Sequence, residues 1–260
     1  MSVIVRVLVM TALWPTVAWA QGGPPLLTDD PDTPGPGRWE INLATLLERS
    51  RLERRLETPR VDANYGVGRR IQLKFEVPWV WAREGENDIQ TGVGNGTAGI
   101  KWRFVGQEGM RIAWSIYPQL EFNTTQSSVT KGIVDKGSEL FLPTELTVEF
   151  AHVEINGEVG RRFVTSRPDN WIFGLSTESH VSPRLEVLSE LHAEQFSGQL
   201  TELLANVGAR PKLTRQLILL LAAGRTVRNV AERGTRFYLY VGLQLNLPDQ
   251  YSFKDGVSGR

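Results

Sequence analysis

The chain has 260 residues, its 29 Lys and Arg balance 29 Asp and Glu, and it contains no cysteine, so disulfide scaffolds, cysteine-ligated zinc sites and thiol nucleophiles are excluded. A formal charge of zero with 41% apolar residues argues against a disordered chain and against a surface built for nucleic acid. Eight Trp, 25 Gly and 14 Pro point to many short strands punctuated by turns, with aromatic rings at interfaces.

Met1–Ala20 carries Arg6, an apolar stretch from Val7 to Trp14, and the small-x-small close Ala18-Trp19-Ala20. This is the pattern of a secretory signal peptide cleaved before Gln21, and loss of Arg6 leaves a mature charge of −1. The next segment, residues 21–37, is expected either to hang in the periplasm or to fold inwards as a plug. Its Thr28-Asp29-Asp30-Pro31-Asp32-Thr33 is acidic, but it lacks the glycine-to-glutamate frame of a helix-loop-helix calcium site.

From Arg38 the chain alternates. Arg70–Trp81 sets Ile71, Leu73, Phe75, Val77, Trp79 and Trp81 against Gln72, Lys74 and Glu76, the period of a strand with two different faces. Arg111–Phe122 and Arg236–Leu247 repeat the pattern, and weaker copies cover Arg38–Leu47, Arg60–Val67, Ala98–Val105, Glu139–Phe150, Val153–Val164, Trp171–Val181, Arg184–Phe196, Thr201–Ala209 and Leu213–Gly224. The three strong segments are long enough for the about 9 to 11 residues of a tilted membrane strand. The longest apolar run after the leader, Leu217–Ala223, has seven residues, against the about 20 that a spanning helix needs.

The connections test this independently, because outer-membrane barrels have short periplasmic turns and longer outer loops. Long or charged connections are expected at Glu48–Glu57, Arg83–Asn95, Asn123–Gly137, Thr165–Asn170 and Arg225–Gly234. Tight ones are expected at Gly68-Arg69, Gly106–Gly109, Ala151-His152, Ser182-Pro183 and Arg210-Pro211. Only Ser197-Gly198 is shorter than its place in the alternation predicts. The expectation is an all-β, antiparallel transmembrane barrel of about twelve strands over residues 38–247 in the cell outer membrane, followed by a tail over 248–260.

Apolar positions then face lipid and alternate positions face the lumen. Lys74, Lys101, Arg103 and Arg111 form a basic arc, and Glu145, Glu149 and Glu154, with Glu139 and Glu158, an acidic one. Such a lumen is either filled by salt bridges or a hydrated conduit whose opposed arcs orient dipolar solutes. On this assignment Leu243→Arg is costly and Gln244→Arg tolerated. The histidines His152, His180 and His192, with Ser176, Glu178, Glu190 and Glu194 nearby, are the raw material of a hydrolase triad, yet no Gly-x-Ser-x-Gly elbow accompanies them. No catalytic, cofactor or metal residues are assigned.

Pro25-Leu26-Leu27-Thr28-Asp29-Asp30-Pro31-Asp32-Thr33-Pro34-Gly35-Pro36-Gly37-Arg38-Trp39-Glu40-Ile41-Asn42 resembles the N-terminal signature of a transporter-like outer-membrane family named for the meta-pathway of phenol degradation. The resemblance implies a barrel that conducts small aromatic or other hydrophobic compounds, and no catalytic residues. The last strand, Tyr240–Leu247, resembles the signal read by the barrel-assembly machinery, although the chain continues for 13 residues past it. Expected partners are outer-membrane lipid, that machinery and a small-molecule solute, with no nucleic acid. The alternatives are a structural or surface-exposed barrel with a closed lumen, an outer-membrane lipid hydrolase and a soluble periplasmic β-sandwich.

Overall fold

In a computed structural model, which describes residues 23–106, 110–196, 201–228 and 235–248, period-two alternation becomes a closed antiparallel sheet. Its strands are β1 (Trp39–Arg49), β2 (Glu53–Val67), β3 (Ile71–Glu84), β4 (Gln90–Val93), β5 (Gly96–Val105), β6 (Ile112–Ile116), β7 (Gln119–Phe122), β8 (Ser138–Phe150), β9 (Val153–Val164), β10 (Asn170–Ser182), β11 (Leu185–Phe196), β12 (Glu202–Pro211), β13 (Leu217–Arg228) and β14 (Phe237–Leu247). One short helix, α1 (Gln126–Thr130), lies between β7 and β8. β1 pairs with β14 from Trp39 opposite Leu247 to Arg49 opposite Phe237, which closes the barrel.

Two wall strands are each broken once. β4 and β5 both pair with β3, and β6 and β7 both pair with β8, so the fourteen segments make a twelve-strand wall. The first break falls at Gly94, where a Cβ would lie 2.7 Å from Pro78 Cγ. The second falls at Tyr117-Pro118, where proline has no N–H to give the ladder. Each of the twelve predicted strands has its counterpart here.

The alternation sorts side chains as a membrane demands. On β3, Leu73, Phe75, Trp79 and Trp81 are exposed on the outer face, whereas Gln72, Glu76, Val80 and Ala82 are buried. The run Leu217–Ala223 is apolar on both faces for a reason absent from the barrel rule. Its inward residues Ile218, Leu220 and Ala222 join Leu26, Leu46, Leu188, Tyr238 and Tyr240 in a buried cluster, so part of the lumen is an apolar core.

Several boundaries differ from the expected ones. The charged tip Glu48–Glu57 narrows to 50–52, because Glu48 opposite Arg55 and Arg49 opposite Arg54 prolong the ladder. The connection expected at Arg83–Asn95 is shorter, since β3 runs to Glu84 and β4 begins at Gln90. Arg210-Pro211 is not a turn: β12 continues through both residues and the connection is 212–216. β13 accordingly begins at Leu217 rather than Leu213 and runs on to Arg228. The leader, the connection at Ser197-Gly198 and most of the tail lie outside the described residues.

Candidate functional site: a plugged lumen beneath an outer vestibule

Residues 23–37, which form no strand, lie inside the barrel and are held by side chains of its wall. Glu190 of β11 accepts the N–H groups of Leu27 at 3.0 Å and Thr28 at 2.5 Å. Lys101 of β5 reaches Asp29 Oδ1 at 2.8 Å and also donates to the Asp30 carbonyl. Arg103 meets Asp32 Oδ1 at 2.6 Å. Arg210 of β12 pairs with Glu178 at 2.8 Å and donates to the carbonyls of Gly23 and Pro24 at 3.2 and 3.0 Å. Tyr238 donates to the Pro25 carbonyl at 2.9 Å. A segment without its own ladder must find partners for its backbone groups, and here the wall supplies them.

Two glycines make room for it. A Cβ on Gly66 would lie 1.8 Å from the Gly35 carbonyl oxygen, and one on Gly174 would lie 2.2 Å from Thr28 Oγ1 and 2.9 Å from its Cβ. The wall is shaped to this segment.

Of the residues singled out from sequence, Lys101 and Glu145 come together, with Nζ 3.7 Å from Oε2, and Glu145 also accepts Ser115 Oγ at 2.6 Å. Lys74 lies 3.4 Å from Asp62 and 3.2 Å from Glu76 on neighbouring lumen positions. Arg103 belongs to the plug contacts described above. Glu154 is buried, directly across from Glu178 on β10. Arg111 stands apart: it precedes β6, is exposed at the short-turn rim, and among the described residues only its carbonyl is engaged, by the Glu149 N–H at 2.8 Å. Glu149 is half-buried at the same rim. The arcs therefore do not face each other across open water at this depth: Lys101 pairs directly with Glu145, and the plug's Asp29 and Asp32 take up Lys101 and Arg103.

Sequence reasoning missed Arg210, Glu190 and the plug's aspartates as partners. For Arg210 a signal existed, since it continues the inward parity of Asn206 and Gly208. Gln244 was expected in a hydrated lumen, but it is 2% exposed and bonded to Asn246 at 3.0 Å.

Above the plug the barrel opens into a vestibule of about 1130 Å³. Leu27, Leu46, Ile172 and Leu204 supply apolar lining, and Arg55, Arg162, Glu139 and Glu194 supply charge. It continues beside Leu27 into a space of about 230 Å³ reaching Tyr238 and Tyr240, and at Asp29, Lys74 and Lys101 only about 20 Å³ is left. One side of the vestibule is the folded-in connection 123–137. Its Ile133 and Val134 pack on Val80 and Ala82, and Arg55 donates to the Ile133 carbonyl at 2.9 Å.

The histidines form no triad with a serine among the described residues. His192 Nε2 is 3.7 Å from Glu194, His180 Nε2 is 3.3 Å from Glu186, and His152 is exposed at a turn.

Neither a family model nor a curated protein matches the chain. Solved structures do. An outer membrane channel from Pseudomonas putida F1 is 12% identical with a TM-score of 0.64, over 84% of this chain and 98% of that one. KdgM porin is 10% identical with a TM-score of 0.56, over 79% and 98%, and NanC porin is 6% identical with a TM-score of 0.55, over 79% and 98%. At such identities the likeness concerns fold, and with the apolar outer face it makes this chain a closed twelve-strand barrel of the outer-membrane kind.

Proposed function

We propose that the protein is an outer-membrane channel for small solutes, closed at rest by its own N-terminal segment. The observation that carries this reading is the arrangement of the lumen. A wide vestibule leads to a segment held by ion pairs and hydrogen bonds rather than by strand pairing, and such contacts can be exchanged for water or solute without opening the wall. Similarity in fold to channel and porin structures agrees with it.

The solute class we infer is small molecules with an aromatic or otherwise apolar body. Support comes from the apolar lining at Leu27, Leu46, Ile172 and Leu204 and from the resemblance of residues 25–42 to the phenol-pathway family. The test is reconstitution in planar bilayers. Discrete conductance steps that become longer-lived in Arg210→Ala, which frees the Gly23 and Pro24 carbonyls, are the expected result. A barrel that is folded yet silent in both forms sinks the channel and leaves the closed structural barrel, a reading favoured by the near-complete filling around Lys101.

A further inference from the structure

At the loop-bearing end, the cross-strand partners of β3, β2, β1, β14 and β13 form one lateral row: Arg83 opposite Arg54, Arg54 opposite Arg49, Arg49 opposite Phe237, and Phe237 opposite Arg225. All five residues are exposed and share the outward parity of the lipid-facing positions. The next outward row on the same strands is Trp81, Leu56, Leu47, Leu239 and Ala223, which is wholly apolar. Four guanidiniums thus stand where the apolar band ends. Long connections mark this end as the outer one.

Like charges directly opposite each other on adjacent strands are destabilising, and here three cations stand abreast on β1, β2 and β3. The wall does not neutralise them. Among the described residues no ion pair or hydrogen bond engages the guanidiniums of Arg49, Arg54 or Arg225, and Arg83 spends one donor on the Asn87 carbonyl at 3.1 Å. Unlike the charges inside the barrel, which are matched by wall and plug carboxylates, these meet no carboxylate at ion-pair distance among the described residues.

We propose that this row is a docking surface for phosphate-bearing headgroups of outer-leaflet lipid. Arginine's planar fork engages phosphate oxygens in pairs, an apolar row immediately below accepts acyl chains, and exposed Phe237 lies at the level where aromatic side chains anchor. A lipid that places phosphate and hydrocarbon together fits both rows, whereas a free anion uses only the upper one. The surface is on the outside of the wall, so the inference is independent of what the lumen passes.

The experiment is lipid retention by the full-length barrel in detergent, read by native mass spectrometry with competing phosphatidic acid and phosphatidylcholine of equal chain length. Preferential retention of phosphatidic acid is expected, reduced about fivefold for each arginine replaced by Gln at positions 49, 54, 83 or 225. The same four positions changed to Lys keep the charge and are expected to keep most of the preference. Equal retention of the two lipids by the unmodified protein overturns the proposal, whether or not the Gln variants assemble. So does a folded Gln variant that retains phosphatidic acid as the parent does, or a Lys variant that loses it as fully as the Gln form. Displacement of the lipid by inorganic phosphate at equal concentration identifies a free-anion site and overturns it as well.

Discussion

Lys101 shows how single residues hold this lumen together. It is buried between Asp29 of the plug and Glu145 of the wall, and breaking a buried pair by removing one partner costs about 3–5 kcal/mol because a charge is left uncompensated. Lys101→Ala is therefore expected to lower the midpoint of the heat-induced gel shift and to release the plug. Adding Asp29→Asn recovers part of the loss, and a double-mutant cycle in which the two changes simply add refutes the coupling. Outside, Leu243 is 40% exposed on the lipid face. Leu243→Arg is expected to cost about 2–4 kcal/mol near the midplane, measured as reduced folding yield into vesicles. Gln244→Arg, tolerable in open water, is expected to be harmful too, because Gln244 is packed beside Asn246. Parity told inward from outward at both positions; it did not tell a filled lumen from a hydrated one, since both present polar side chains on alternate residues.

Among elements, the strands are the most legible and the plug the least. Period two follows from pleat geometry and from lipid on one side alone, so it shows in Arg70–Trp81 without any tertiary knowledge. Residues 23–37 have no period; their place is set by Glu190, Lys101, Arg103 and Arg210, drawn from three separate strands and met only once the wall closes. Arg210 illustrates the cost of that blindness: beside Pro211 it has the look of a turn, yet it stays in the ladder opposite Glu186 and turns its guanidinium to the carbonyls of Gly23 and Pro24. Gly174→Ala tests the seating of the plug, since the new methyl collides with Thr28. Conductance should rise while the barrel still shows its heat-modifiable shift; unchanged conductance with an intact barrel argues that the plug does not limit flow. The connection 123–137 makes a second such element. Ile133→Asp should detach it from Val80 and Ala82 and raise the size cut-off for uncharged polymers in bilayer recordings, whereas an unchanged cut-off shows that it does not narrow the entrance.

At the scale of the whole molecule, the barrel divides its charges by location. Inside, cations sit against carboxylates of wall and plug; outside, at the loop-bearing rim, Arg49, Arg54, Arg83 and Arg225 form no ion pair among the described residues. A closed twelve-strand wall predicts anomalous migration of unboiled protein from the outer-membrane fraction, and migration identical before and after boiling contradicts the fold. Strand number and the lipid-facing set were within reach of the linear chain, because both depend on neighbours two residues apart and on a solvent that is apolar all round. Closure of β1 on β14, the plug, the tapering vestibule and the arginine row were decided only in three dimensions. Each brings together residues from strands distant in sequence, and no local periodicity records which of them will stand side by side.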